Sequence, residues 1–115
     1  MTPPTMALPM AELTFLKGVF GRQAKLAELF STSTASVSRW FKKEDAPGPE
    51  NSERIMGVAY IVYRLSNLVE PEVVDAWLRG VNDHLGHQKP IDLIRQGRLT
   101  DVINALDEFE AGGFA

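Results

Sequence analysis

The sequence contains no cysteine and only two histidines among its 115 residues. Without cysteine there can be no disulfide, no thiolate metal ligand and no cysteine nucleophile, a composition that fits the reducing cytoplasm. Long apolar runs are also missing, since none approaches the ~20 residues that a membrane span needs. The first ten residues hold no basic residue and no extended apolar stretch, so we expect no secretory signal.

Residue patterns typical of catalysis are equally sparse. His84 and His87 stand three apart in a segment without helical periodicity, whereas a zinc site needs three or four ligands in fixed geometry. Gly18 and Gly21 form no glycine-rich phosphate loop, because the G-x-G-x-x-G pattern and a preceding strand are both missing. The serines between positions 31 and 38 have no base near them in the sequence. We therefore expect no enzyme activity, no metal site and no cofactor.

Charge is divided unevenly along the chain. Residues 1–64 carry eight basic and six acidic residues, a net charge of +2, whereas residues 65–115 carry four and nine, a net charge of −5. Within the first half, the segment 15–43 holds six basic residues and one acidic residue. Two regions of opposite charge indicate two different partners, and the basic region is a candidate for contact with a phosphate backbone.

Apolar residues recur at helical spacing along most of the chain, and no segment alternates with the period of a strand. We predict an all-α protein of about seven helices. Residues 1–9 are expected to form a flexible arm, residues 10–50 a helix-turn-helix lobe, and residues 51–115 a long core helix with a C-terminal domain. The predicted helices cover about 10–16, 22–30, 34–42, 51–68, 71–79, 90–96 and 100–110. Ser33, Asn51 and Thr100 are the expected N-caps, and Gly97 is the expected left-handed end of the sixth helix.

The segment 23–40, QAKLAELFSTSTASVSRW, predicts a helix-turn-helix. Ala27 lets the second helix cross closely, and apolar residues on both helices can lock their angle. The second helix presents short hydroxylated side chains that suit the major groove, followed by basic residues that suit base edges or phosphates. Trp40 is expected to pack in the core rather than to stack on a base. The predicted DNA-binding residues are Ser33, Thr34, Ser36, Arg39, Lys42 and Lys43.

This segment resembles the helix-turn-helix of Xre/Cro repressors, and it departs from their pattern at two positions. The usual turn glycine is Ser31 and the usual apolar turn residue is Thr32, and serine adopts positive φ less easily than glycine. The resemblance implies binding to operator DNA, usually by a dimer whose two recognition helices meet half-sites about one helical turn apart. The matching positions are Leu26, Ala27, Glu28, Ser33, Val37, Ser38, Arg39 and Trp40.

From Trp77 onward the chain resembles the toxin-binding domain of antitoxins of the MbcA/ParS/Xre type. The family's spaced residues are present without a gap, and Val81 stands where the family usually has proline. Considered by their physical chemistry alone, these residues are expected to have structural roles. Trp77 is expected in the core, Asn82 in a turn where it bonds backbone groups, and Pro90 in the first turn of a helix. The matching positions are Trp77, Asn82, Leu85, Pro90, Leu93 and Gly97.

The resemblance also implies a function. In that family the partner is a RES-domain toxin that degrades NAD, and the C-terminal end of the antitoxin blocks the toxin's active site. We expect the apolar tail to enter that site with Phe114 as its anchor, inside a charged rim that tunes specificity. The predicted toxin-binding residues are Asp92, Arg95, Arg98, Gly112, Gly113, Phe114 and Ala115. The expected function is neutralisation of the toxin, together with autorepression of the operon through the helix-turn-helix.

Two other interpretations fit the same residues. The chain could be a stand-alone Xre-family transcriptional repressor whose C-terminal domain only dimerises. It could also be a pure protein-binding inhibitor whose helix-turn-helix no longer touches DNA, given the departures at Ser31 and Thr32. An adjacent toxin gene favours the antitoxin over the repressor, and a salt-dependent mobility shift with the chain's own promoter separates the third interpretation from the first.

Overall fold

The structure is a computed structural model that describes residues 9–113, and seven α-helices make up most of this part. A 3₁₀ turn lies at Asp83–Leu85 and a π turn at Phe109–Gly113. Within residues 9–113 there is no strand, only an isolated bridge between Asn82 and Gln88. The all-α prediction is confirmed. The helices are α1 (Met10–Phe20), α2 (Gln23–Leu29), α3 (Thr34–Phe41), α4 (Pro49–Ser66), α5 (Pro71–Arg79), α6 (Pro90–Arg95) and α7 (Leu99–Glu108).

The contacts of the backbone divide the chain into two units, Met1–Ala59 and Tyr60–Ala115. The dividing point lies inside α4. The predicted division after residue 50 stays a prediction. Of the predicted arm at 1–9, all but Pro9 falls outside the described residues, as do Phe114 and Ala115 of the tail.

The first unit buries one side of each of its helices. Phe30, just after α2, and Trp40 of α3 are both buried, with ring centroids 6.4 Å apart. Ser33 caps α3 as predicted, because its Oγ accepts a hydrogen bond of 3.0 Å from the N–H of Ser36. The buried apolar residues of this unit are Leu13, Leu16, Leu26, Ala27, Leu29, Phe30, Val37, Trp40, Ile55, Val58 and Ala59.

The second unit packs α5, α6 and α7 with the end of α4 around a core of branched aliphatic side chains. Full burial of one such side chain stabilises the fold by about 1.5–3 kcal/mol, so this core dominates the unit's stability. The pattern on α6 is typical, since three of its six residues are buried aliphatics. The buried apolar residues of the unit are Ile61, Val62, Leu65, Val74, Leu78, Leu85, Ile91, Leu93, Ile94, Val102, Ala105 and Leu106.

The first helix is longer than predicted. It continues through Gly18, where the surroundings are open, and ends at Gly21, whose left-handed φ of 81° returns its N–H to the carbonyl of Lys17 at 2.7 Å. A single glycine inside a helix costs only about 1 kcal/mol relative to alanine, so packing of Leu13 and Leu16 can outweigh it.

Two predicted N-caps are wrong. The fourth helix begins at Pro49 rather than after Asn51, because proline suits the first turn of a helix, as Pro71 and Pro90 also show. The last helix begins at Leu99, one residue before Thr100, and the residue at its N-cap position is Arg98.

Candidate functional site

The irregular segment after α5 is organised by Asn82. Its Oδ1 accepts a hydrogen bond of 2.9 Å from the N–H of His84, and its carbonyl accepts from the N–H groups of Leu85 and His87, both at 3.0 Å. The chain then turns through left-handed conformations at Gly86 and His87, with φ values of 63° and 64°. The predicted role of Asn82 as a turn residue bonded to the backbone is confirmed.

Trp77 is only half-buried, so its predicted place in the core is wrong. The helix α5 buries Val74 and Leu78 instead, and Trp77 lies beside that buried face. Its ring lies 6.0 Å from that of Phe109, centroid to centroid, at an angle of 51°. Both rings line a cavity of about 220 Å³ that we call the aromatic groove. The groove is lined by Trp77, Val81, Asn82, Asp83, His84, Ala105 and Phe109.

A second cavity, also of about 220 Å³, adjoins the first at His84, and we call it the polar groove. Two residues that line it are bonded to each other, since Arg98 Nε donates a hydrogen bond of 2.8 Å to Asp101 Oδ2. Asp101, Ala105 and Phe109 follow one another at intervals of four along α7 and the π turn, so one side of α7 borders both grooves. The polar groove is lined by His84, Leu85, Leu93, Arg98, Asp101 and Asn104.

Another side of the last helix is tied to α4 by Arg64. Its Nη2 donates to Asp107 Oδ1 at 2.8 Å and forms an ion pair with Glu110, while its Nη1 donates to the hydroxyl of Tyr60 at 3.2 Å. The guanidinium also lies 5.4 Å from the Tyr60 ring centroid, within cation–π range. The hydrogen bond to Asp107 raises the pKa of Arg64 above its ordinary value. We call these four residues the Arg64 cluster, which fixes the C-terminal end of α7.

The predicted rim residues are exposed in the second unit. Asp92 and Arg95 lie on α6 between buried aliphatic residues, and Arg98 follows after Gly97, whose φ of 79° matches its predicted left-handed role. At the start of the tail, Gly112 has a φ of 123°, which interrupts the π turn before Gly113. The structure therefore brings Arg98 to the polar groove and leaves Asp92 and Arg95 on the surface of α6.

The predicted DNA-binding residues form a polar surface on α3 and just after it. Ser33 Oγ donates to Ser36 Oγ at 3.0 Å, and Arg39 Nη2 donates to the same oxygen at 3.1 Å, which holds Arg39 along the helix. Thr34 and Lys42 are exposed, and so is Lys43, which follows α3 with a left-handed φ of 61°. Five of the six predicted residues are exposed, and Ser36 is half-buried.

The turn between α2 and α3 keeps the conformation that a glycine would favour. Ser31 has a φ of 51°, and Thr32 returns its N–H to the carbonyl of Ala27 at 3.0 Å. Serine therefore holds a left-handed conformation, which costs roughly 1–2 kcal/mol for a residue with a Cβ atom. The expected packing role of Trp40 is confirmed, since Trp40 is buried beside Phe30.

The described residues show no group of three acidic or histidine side chains placed to hold a metal ion. His87 Nδ1 lies 3.0 Å from Asp83 Oδ1, which is a pair and not a ligand set. Over the same part of the chain, the helices are too short or too polar to cross a bilayer.

Comparison with known proteins finds a similarity for the C-terminal region. Residues 65–112 match the profile of the antitoxin Xre/MbcA/ParS C-terminal toxin-binding domain. This segment is therefore similar to that domain. The predicted resemblance is confirmed, and the matched segment takes in α5, α6, α7 and both grooves. Arg64 stands one residue before the match, and Asp107 and Glu110, its partners, lie within it.

Proteins similar to this chain extend the similarity beyond residues 65–112. The mycobacterial cidal antitoxin MbcA of Mycobacterium bovis is 28% identical over 90 residues, 78% of this chain and 80% of that protein. The Prs ADP-ribosylating antitoxin of a Sphingobium strain is 29% identical over 113 residues, 88% of this chain and 70% of that protein. A chain from the crystal structure of the Mycobacterium tuberculosis MbcT–MbcA toxin–antitoxin complex superposes with a TM-score of 0.71 at 25% identity, covering 90% of this chain and 96% of that one.

Several residues of the matched segment and its border were missed by sequence reasoning. Tyr60 and Arg64 are four apart on a predicted helix, a spacing that signals a local pair, but Asp107 is 43 residues further along the chain. The pairing of Trp77 with Phe109 likewise depends on the tertiary contact of α5 with the π turn. No binding role was predicted for His84, and the structure places it in the lining of both grooves.

Proposed function

We propose that this antitoxin neutralises a RES-domain toxin that degrades NAD, by direct binding through the unit Tyr60–Ala115. The observation that carries the proposal is the match of residues 65–112 to a toxin-binding domain, supported by the shared fold with a chain of the MbcT–MbcA complex. The acidic balance of the second half suits a partner with a basic surface, because complementary charge speeds association and favours the right partner. Inhibition by binding needs no catalysis by the antitoxin itself.

The tail from Gly112 to Ala115 is the segment proposed to enter the toxin's active site. Its point of departure is held by the Arg64 cluster, which ties Asp107 and Glu110 to α4. A segment that starts from a fixed position loses less conformational freedom on binding, so preorganisation strengthens the complex. Phe114 would supply the apolar anchor, with the exposed charges of Asp92, Arg95 and Arg98 forming the rim.

Co-expression with the RES-domain toxin from the same operon tests this function. The full chain should restore growth and co-purify with the toxin, whereas removal of residues 112–115 should abolish rescue while the circular dichroism spectrum stays helical. Met56→Ala is the matched control, because it removes an exposed apolar side chain from the other unit and should leave rescue unchanged. Equal rescue by the truncated chain would show that the tail has no part in neutralisation. Absence of rescue by the full chain would refute the proposal that this protein neutralises the RES-domain toxin.

A second function, autorepression through operator DNA, is favoured by the polar surface on α3. Ser33, Arg39 and Lys42 are exposed along α3 and at its two ends, which gives this helix the hydroxyl and basic groups that a major-groove helix uses. We propose that the protein binds its own promoter as a dimer in the cytoplasm, where it would also meet its toxin. A mobility shift of the promoter DNA that weakens as the salt concentration rises tests this proposal. A stand-alone repressor would give the same shift but would have no neighbouring toxin gene.

A further inference from the structure

The aromatic groove combines aromatic rings with polar groups. Trp77 and Phe109 line it with tilted rings 6.0 Å apart, yet polar atoms form most of its accessible surface. Its volume of about 220 Å³ is below the ~300–1,000 Å³ of pockets that hold small molecules, so its size suits one side chain of a protein partner. An occupant that fits both kinds of surface has a flat or apolar part and a polar end.

The charge at the groove favours a cation. Among the described residues that line it, Asp83 is acidic and none is lysine or arginine. Residues 65–115 as a whole have a net charge of −5. Asp83 Oδ1 lies 3.0 Å from His87 Nδ1, but both side chains are largely exposed, and an exposed pair of this kind is weakly held. Because a carboxylate accepts several hydrogen bonds, Asp83 can also accept from a bound cation.

Arginine fits these groups better than lysine does. Its planar guanidinium stacks on an aromatic ring while its N–H groups donate to a carboxylate, and it is more weakly hydrated than an ammonium group. Tryptophan is the best of the aromatic side chains for a cation, and Trp77 is half-buried, so part of its surface is accessible. Val81, which is 60% exposed and also lines the groove, adds apolar surface for the methylene stem of the arginine.

The polar groove has a different character. Its carboxylate, Asp101, already accepts a hydrogen bond of 2.8 Å from Arg98, so this pair brings no net charge. The described residues that line it include no aromatic ring other than the imidazole of His84. A cation is therefore favoured in the aromatic groove and not in its neighbour.

We infer that the aromatic groove is a subsite for an arginine of the toxin, whose guanidinium lies against the ring of Trp77 and donates to the carboxylate of Asp83. That the arginine belongs to the toxin rests on the proposed function, whereas the preference of the groove for a guanidinium does not. Tryptophan and arginine are among the residue types that most often dominate the energy of a protein interface. The subsite would add a contact to the toxin that is separate from the tail.

Titration of the free, isotope-labelled protein with N-acetyl-arginine amide tests the groove, with the indole N–H resonances of Trp77 and Trp40 as the readout. N-acetyl-citrulline amide is the matched probe, because it has nearly the same shape and no charge. The Trp77 resonance should shift at least about twice as far with the arginine probe as with the citrulline probe. The resonance of the buried Trp40 should respond to neither, and Asp83→Asn should remove most of the difference at Trp77. Equal shifts of Trp77 with the two probes would overturn the inference.

Affinity for the RES-domain toxin tests the partner. Asp83→Asn should weaken binding about tenfold, because a charge-assisted hydrogen bond is lost, whereas His87→Gln removes only the neighbour of Asp83 and should leave binding nearly unchanged. Glu72→Gln is the matched control, since it removes the same charge from an exposed position of α5 outside the groove lining and should weaken binding less than about twofold. Equal losses for Asp83→Asn and Glu72→Gln would mean that only the overall charge matters and would overturn the subsite. If the full chain binds no RES-domain toxin, the proposed function fails, while the titration with the two probes still decides whether the groove binds a guanidinium.

Discussion

Replacing Arg64 with methionine tests whether the Arg64 cluster holds the end of α7. Methionine keeps the apolar stem but removes the hydrogen bond to Asp107, the ion pair with Glu110 and the bond to Tyr60. The Arg64 side chain is only 18% exposed, whereas its two carboxylate partners are more exposed and partly screened. An exposed ion pair stabilises by ~0.2–1 kcal/mol and a small network by more, so we expect a loss of about 1–2 kcal/mol in the free energy of unfolding.

Urea unfolding followed by circular dichroism measures this loss. With a urea m-value of ~1.5 kcal/mol/M for a domain of this size, the midpoint should fall by about 1 M. Arg98→Met is the matched control, because it breaks a single, half-exposed pair with Asp101 and should cost less than ~0.5 kcal/mol. Equal midpoints for the two variants, or no change for Arg64→Met, would refute the role given to the cluster.

The direction of the Arg64 pKa shift sets the pH range of this stabilisation. The folded-state pKa is raised, so the contribution is complete below the unfolded-state pKa and is lost only as the pH rises through the folded-state value, in strong alkali. We therefore expect the difference between wild type and Arg64→Met to stay constant from neutral to mildly alkaline pH.

The remaining predictions concern α3 and the turn before it. Ser33→Ala removes the capping bond to Ser36 and should lower stability by about 1 kcal/mol in urea unfolding, whereas Ser38→Ala, inside the helix, should change it little. Ser31 has a left-handed φ of 51°, which glycine adopts with less strain, so Ser31→Gly should raise the urea midpoint. We expect a net gain of roughly 0.5 kcal/mol in the free energy of unfolding after the entropy cost of glycine. A lower midpoint would contradict the presence of backbone strain at Ser31. Arg39→Ala should weaken the mobility shift of the promoter, most clearly at low salt, while Lys89→Ala in the other unit should not.

Much of the fold could be predicted from the sequence because local signals agreed with the packing. Pro71 and Pro90 each begin a helix, and Ser33 caps α3. Gly97 follows α6 and has the positive φ that was predicted for it. The predictions failed where packing overrides local preference. The helix α1 passes through Gly18, and α7 begins before Thr100, since capping side chains favour a boundary without fixing it.

The candidate site was less predictable, because its contacts join distant segments. The signature residues located the segment that matches the family profile, but the spacing of Trp77 on α5 predicted a core residue rather than one that lines a groove. No local pattern could pair Arg64 with Asp107, which needs the tertiary packing of α4 and α7. The exposure of the polar residues on α3 was easier to predict, because they lie on the polar face of an amphipathic helix.

The direct test of the central claim is NAD degradation by the purified RES-domain toxin, titrated with the full-length protein and with the chain lacking residues 112–115. We predict that the full-length protein stops NAD degradation when it saturates the toxin, and that the shortened chain fails to do so although its toxin-binding domain remains folded. NAD degradation that continues unchanged in the presence of saturating full-length protein would contradict the claim that this chain is the toxin's inhibitor.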